Sequence, residues 1–489
     1  MALQFPGLQT RIAQRVVAAI EPGINGKIEV GRISIVFFNK IMAYDVSVTG
    51  ESGDTLAALA KLSVTVSPGE LLKGNLTVER LLLEDGCFNF IQEKPHYSNL
   101  NRIFNYSPTP DSLKSPFRIP DMSIDELVLR NMRFSMLNPK KDTVPVKTGQ
   151  MNFNNLAVRD INAKFNRIRI HDNTISCRIR DLSCREQSGY ELRSLAGYFC
   201  LDSCRTAIEN LHLKDTWSDI NARYLSFGYN SGKDLNDFIN KIVLGVDFDN
   251  AVLNFKSLGY FASSLQGNGT ELIITGEVTG PVCRLRTNDL ILTSGDSTLI
   301  HIGADITGLP DIDRTIFDLD IKRISTVSPE LSCIVAAFSH KANTIHKFIP
   351  YTRINLNGEL NGTLYDLSSN GKITSSDGDI AYSAQLFRDS VLNSTYLSTT
   401  LNVNGLDIGK LINNSTFGEV DLTAGLHASL RGPGDGGITA NLDSLRISRM
   451  SIKGYEYSGI AVNGEMQNNM ANVRMISHDM AFPMMFQSI

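Results

Sequence analysis

From Arg353 to Leu364 every second residue is apolar or glycine, and every residue between is polar. Ile354, Leu356, Gly358, Leu360, Gly362 and Leu364 fall to one side, and Arg353, Asn355, Asn357, Glu359, Asn361 and Thr363 to the other. Strand side chains alternate between faces, so this spacing predicts a β-strand with one greasy face and one wet face; a helix cannot hold it. Within the strand, Gly358-Glu359-Leu360-Asn361-Gly362 echoes Gly276-Glu277-Val278-Thr279-Gly280 at an offset of 358 − 276 = 82 residues, which predicts a repeated unit. The same alternation returns at Phe317, Leu319 and Ile321 and from Leu397 to Gly405. It returns again from Gly418 to Arg431, where Val420, Leu422, Ala424, Leu426, Ala428 and Leu430 share one side.

A chain of 489 residues exceeds one compact core, so it forms several domains or an extended, solenoid-like body. Lysine plus arginine (47) nearly balances aspartate plus glutamate (51), with no long run of one sign. Nucleic-acid binding, which rests on a concentrated positive face, therefore has no support. Seven cysteines, Cys87, Cys177, Cys184, Cys200, Cys204, Cys283 and Cys333, lack metal-site spacing and are expected mostly as small apolar fillers. There is no run of about 18 apolar residues, the length a spanning helix needs.

Along the chain, Gln9 to Ile20 has the spacing of an amphipathic helix, with Ile12, Val16, Val17 and Ile20 on one side and a stop at Pro22-Gly23. It suits either a membrane surface or the end of a β-core. Strands are expected over 28–36, 41–48, 61–66 and 76–90, with a Pro68 to Lys73 turn between the last two. A proline- and serine-bearing linker follows from Asn105 to Pro120, then further strands over 124–136 and 151–182. Arg167, Arg169, Arg178 and Arg180 alternate with isoleucine and read as a solvated face or as lipid-phosphate contacts. Asp234 to Gly245 reads as a short helix with Leu235, Phe238, Ile239, Ile242 and Val243 inward, and Pro329 to His346 as a helix that covers a sheet end. The expected segments are 1–27, 28–105, 106–270 and 271–489.

Catalytic and cofactor signatures are absent from the sequence. Gly228-x-x-x-Gly232-Lys233 is one residue short of a phosphate-binding loop, and the glycine-rich 432–437 stretch leads into a strand where dinucleotide binding needs a helix. No nucleophile elbow or paired helical histidines occur. Asp311, Asp313, Asp318 and Asp320 read as acids alternating on a wet face, with a calcium loop as the alternative. No cofactor is expected, and no enzymatic activity.

Several short patterns carry a resemblance. Pro6 and Gln9 before a short helix, Val30-Gly31-Arg32-Ile33, Phe37-Phe38, Asp45-Val46-Ser47-Val48, Gly53-Asp54-Thr55-Leu56, Leu71-Leu72 and Asn99-Leu100 lie near the start. Phe348-Ile349-Pro350, Asp377-Gly378-Asp379 and Gly454-Tyr455-Glu456-Tyr457 lie later. Together they resemble the AsmA-like superfamily and, within it, the TamB translocation and assembly module subunits of Gram-negative envelopes. The resemblance implies an elongated β-groove that shields phospholipid acyl chains between the inner and outer membranes. It also implies a periplasmic location, an inner-membrane anchor ahead of Pro6 that this sequence lacks, and an outer-membrane barrel partner engaged through a C-terminal region not present here. The fold expected is thus all-β, mainly antiparallel, with a few short helices. Ile354, Leu356, Leu360, Leu364, Val420, Leu422, Leu426, Leu430, Leu319 and Ile321 would line the groove, and Ile12, Val16, Val17 and Ile20 would lie near the membrane. The alternative is a structural or protein-interaction β-solenoid with a filled core.

Overall fold

A computed structural model describes residues 25–36, 39–67, 77–94, 97–104, 122–142, 145, 147–172, 174–262, 265–267, 269–327, 353–389, 394–431, 438–467, 470–479 and 484–487. Ile12, Val16, Val17 and Ile20, the Pro68 to Lys73 turn, the Asn105 to Pro120 linker and the Pro329 to His346 segment lie outside the described residues. The fold is all-β with short helices. It divides into two compact units, Met1–Leu235 with Val246–Gly269, and Asn236–Gly245 with Thr270–Ile489.

The first unit holds β1 (Gly26–Val36), β2 (Lys40–Gly50), β3 (Thr55–Val66), β4 (Thr77–Lys94), β5 (Tyr97–Ser98) and β6 (Met122–Leu137). It continues with β7 (Asn155–His171), β8 (Thr174–Glu186), β9 (Glu191–Leu201), β10 (Arg205–Asp215) and β11 (Asp219–Gly228). Most of β12 (Val243–Asn254) belongs to it as well, together with α1 (Asn99–Ile103) and, after α2 (Phe238–Lys241), α3 (Phe255–Gly259). Strands β1 to β4 pair antiparallel in sequence order, β4 pairs in parallel with β6, and β6 to β11 are antiparallel again.

One face of this sheet stays apolar although its strands break their own alternation. In β2 the apolar positions run Ile41, Ala43, then Val46, Val48; in β4 they run Leu81, Leu83, then Gly86, Phe88; in β6 Leu127, Leu129, then Met132, Phe134. A step of three would throw the next side chains to the wrong face, and a residue in the left-handed region within each step restores the phase. Asp45, Asp85 and Asn131 occupy these steps and Asp160 the matching step of β7, all in the left-handed region with φ of 54°, 51°, 50° and 55°. Asn and Asp tolerate that region better than other residues with a side chain. These residues lie at one level of the sheet. Asp45 and Asp85 flank Ala60 from opposite strands, Asn131 Nδ2 donates to Asp85 Oδ1 at 2.6 Å, and the Asn131 amide donates to Asn162 Oδ1 at 3.0 Å. The seam thus crosses five strands, β2, β3, β4, β6 and β7, at one level. Below it sits the buried cluster Val78, Ile124, Ile168, Cys177 and Ile179.

Short helices close strand ends. In α1, Ser98 caps the helix, Ile103 is fully buried, and the buried Asn99 side chain accepts from the Ile91 amide and donates to the Asn89 carbonyl. Arg102 then clamps the β2–β3 turn, donating to both Asp54 oxygens at 2.8 and 2.9 Å, to Ser52 Oγ at 2.8 Å and to Glu93 at 2.9 Å. Burial pushes the Asp54 carboxyl up, but the bonds from Arg102 and Ser52 and the guanidinium charge outweigh it and hold it below its ordinary value. Arg102→Ala is expected to cost about 1.5–3 kcal/mol in urea unfolding, the range for charged hydrogen bonds. Because the folded carboxyl is the stronger acid, this stabilisation is present above the unfolded aspartate pKa and is lost as pH falls through the folded value. The gap between wild type and variant should therefore close on acidification.

The second unit holds β13 (Glu271–Pro281), β14 (Arg284–Ser294), β15 (Thr298–Thr307), β16 (Ile316–Thr326), β17 (Ile354–Gly362), β18 (Asp366–Ser375) and β19 (Gly378–Asp389). After these come β20 (Ser394–Asp407), α4 (Ile408–Leu411), β21 (Phe417–Arg431), β22 (Ile438–Ile452), β23 (Tyr455–Gln467), β24 (Met470–Ser477) and β25 (Met484–Gln487). Every strand pairs antiparallel with its neighbour in sequence. The 82-residue offset is structural: it carries Gly276 of β13 onto Gly358 of β17, and Arg284, where β14 starts, onto Asp366, where β18 starts.

The expected inward-facing helix over 234–245 is corrected. A 3₁₀ turn, Gly232–Asp237, runs into the four-residue α2. Of the five apolar residues only Ile242 is buried, while Leu235, Phe238, Ile239 and Val243 are 55, 40, 39 and 50 % exposed. A helix of one turn is too short to present a continuous apolar stripe.

Candidate functional site

The second unit's apolar face is built by register. Leu356 of β17 stands opposite Ile324 of β16 and Ile373 of β18. In one direction the row continues through Ile300, Leu292 and Ile274. In the other it passes through Ile380, Val403, Leu422, Ile447 and Ile460. Eleven consecutive strands, β13 to β23, thus place an aliphatic side chain at one level, a stripe about 48 Å long at the usual strand spacing. Directly opposed side chains on one face touch, so the stripe is continuous.

Ile321 and Gly358 face each other one level along the same face and Leu319 and Leu360 two levels along, while Ile354 stands opposite Thr326 at its end. Leu426 lies between Thr399 and Leu442. Ile354, Leu356, Leu360, Leu319, Leu422 and Leu426 are half-buried. Ile321, Val403 and Val420 are 6, 5 and 1 % exposed, and α4 packs on the strand that carries Val420. Leu430 is placed on β21 opposite Thr395, its side chain lying outside what is described. Leu364 does not join them. Strand β17 ends at Gly362, and Leu364 is 46 % exposed in a turn whose Thr363 hydroxyl accepts from the Tyr365 and Asp366 amides. That threonine turn stops the strand two residues before the alternation does.

The glycine motif works through close backbone approach. A Cβ on Gly358 would lie 2.1 Å from the Asn370 carbonyl oxygen, and one on Gly362 2.0 Å from that of Asp366. The earlier copy matches, with 2.2 Å from Gly276 to Asp289 and 2.1 Å from Gly280 to Arg284. All four have φ between 115° and 154°. Gly358 faces Gly371, and Tyr382 reaches over the pair to bond Ser369 Oγ at 3.1 Å. The missing side chains let strands meet.

The opposite face is polar and ionic. Asp305 accepts from Arg284 and Arg286, Asp289 pairs with Lys322 and His301, and Arg449 bonds Asp421 and Glu419. Hydrogen bonds from Lys322 and His301 hold the Asp289 carboxyl down at about 2. Asp318 lies opposite Asp305, Asp320 opposite Glu359, and Asp313 accepts from the Tyr365 hydroxyl at 3.0 Å. Among the described residues no group of three or more His, Cys, Asp or Glu side chains could hold a metal ion. In the first unit, Arg167 occupies a bulge at φ 54° and Arg169 pairs with Asp125 at 3.2 Å. Burial pushes the Cys177 thiol up to about 11, which keeps it protonated and apolar. The described cysteines are unbridged.

Sequence reasoning missed eight of the stripe's eleven residues: Ile274, Leu292, Ile300, Ile324, Ile373, Ile380, Ile447 and Ile460. The signal lies in steps of three, as from Ile321 to Ile324 and from Leu442 to Leu445, where bulges keep the face in phase. Compared with known proteins, the chain matches no family model, no curated protein and no solved structure. No helix among the described residues is long and apolar enough to cross a membrane.

Proposed function

We propose that this chain is a conduit for phospholipids in a Gram-negative envelope, holding acyl chains against its aliphatic face while headgroups stay in water. The eleven-strand aliphatic stripe carries the reading. It is unbroken across the strands, and Leu356 and Leu422 within it remain half-buried. Each methylene kept from water is worth about 0.8 kcal/mol, so sheltering a chain of about 16 carbons removes a barrier of roughly 13 kcal/mol without any bond chemistry. The resemblance to AsmA-like proteins supports a periplasmic setting, with the inner membrane and an outer-membrane barrel protein as partners.

A second reading, a structural or protein-interaction scaffold, is favoured by the burial of Val403 and Val420 at 5 and 1 % exposure, which places part of the face under protein. Photo-crosslinking residues at Leu356 and Leu426, with native mass spectrometry of the purified protein, separate the two. Co-purifying phospholipid and lipid adducts at both positions are expected. Absence of lipid, with adducts to polypeptide alone, would decide for the scaffold.

A further inference from the structure

On the polar face of the second unit a groove of about 650 Å³ crosses six strands, β18 to β23. Each strand contributes three consecutive residues to it, such as Gln385-Leu386-Phe387 and Tyr396-Leu397-Ser398. Alternation puts Leu386 and Leu397 on the apolar face, so the two flanking side chains of each triplet stand as opposite walls and the backbone between them is the floor. Register makes each wall a straight row. Gln385, Ser398, His427, Asn441 and Glu465 follow one another strand by strand on one side. On the other side Phe387 and Tyr396 stack, with ring centroids 6.2 Å apart, and Ser429 and Thr439 continue the row.

We propose that this groove binds a linear, uncharged glycan. The rings are 48 and 40 % exposed, and an exposed aromatic face offers the negative side of its quadrupole to the C–H groups of a sugar ring. Opposite them stand an amide, a hydroxyl, an imidazole, a second amide and a carboxylate, which between them donate to and accept from sugar hydroxyls. Asp443 engages His427 Nδ1 and leaves Nε2 for the groove. No lysine or arginine lines it, so it lacks the charge that recognises phosphate or a polyanion. The strand spacing of 4.7–4.9 Å is close to the length of one pyranose unit in an extended chain, so each strand offers one polar side chain per sugar. The walls carry no acid pair facing across the groove, so the site binds and does not cleave.

The test is calorimetric titration of the full chain with cellohexaose and with chitohexaose. Saturable binding of at least one in the micromolar to millimolar range is expected. Phe387→Ala and Tyr396→Ala should each weaken it about tenfold, and Gln385→Ala with Asn441→Ala should do the same while melting temperature is unchanged. Binding of neither hexasaccharide at millimolar concentration overturns the proposal, as does wild-type affinity in the ring variants. So does capture of extended peptides through the same two rings. The site lies on the face opposite the aliphatic stripe, so lipid content should be untouched by these variants, whichever way the glycan result falls.

Discussion

Gly358→Val is expected to unfold the second unit at temperatures where the parent chain is native. The new Cβ would sit 2.1 Å from the Asn370 carbonyl oxygen and 2.6 Å from the Gly371 Cα, both backbone atoms that cannot swing away. The residue's φ of 154° is one that side chains with a Cβ rarely adopt. Strain and overpacking each cost about 1–3 kcal/mol, so together they remove about 3 kcal/mol or more from a domain whose whole stability is about 5–15 kcal/mol. Gly276→Val should behave alike, because the same geometry recurs there. Gly425→Ala is the control: its Cβ would meet nothing closer than Ser444 Oγ at 3.9 Å, and it should melt with the wild type. Circular dichroism melts of the three variants check this. If Gly358→Val and Gly425→Ala melt together, close backbone approach is not what the glycine motif provides.

These glycines also mark how far the sequence could be read. Unbroken alternation from Ile354 to Leu360 left one possible structure and one possible division of faces, and both are found. The 82-residue echo identified a repeat because the backbone clash at Gly276 and Gly280 recurs at Gly358 and Gly362, and only glycine satisfies it. Strands such as β2 and β6 were legible as strands, but their faces were not. Asp45 and Asn131 reset the phase through a left-handed backbone, and local sequence does not distinguish a left-handed Asp from any other surface one. The parallel pairing of β4 with β6 joins segments on either side of the expected Asn105 to Pro120 linker, a long-range choice that periodicity cannot encode. Leu364 was misplaced because alternation continued past the point where Thr363 turned the chain. The polar groove was invisible for a related reason. Gln385, His427 and Glu465 are far apart in sequence and become a row only once four registers are known.

Leu426→Asp and Val420→Asp form the pair that decides what the aliphatic face touches. Val420 is 1 % exposed, so an aspartate there would bury a carboxylate without a counter-charge. That costs several kcal/mol, and the second unit should unfold whatever the function. Leu426 lies on the same strand and the same face but is half-buried. Against an open face its carboxylate can reach water, so Leu426→Asp should stay folded with a stability loss of about 1–2 kcal/mol, the transfer cost of the lost side chain. A phospholipid chain crossing that position would then meet a charge with no partner, and lipid bound to the variant should fall at least about tenfold. The measurement is a urea melt alongside lipid extraction from each purified protein. A folded, lipid-poor Leu426→Asp supports the conduit. Should it unfold together with Val420→Asp, the face is packed against protein over its whole length, and the scaffold takes the place of the conduit.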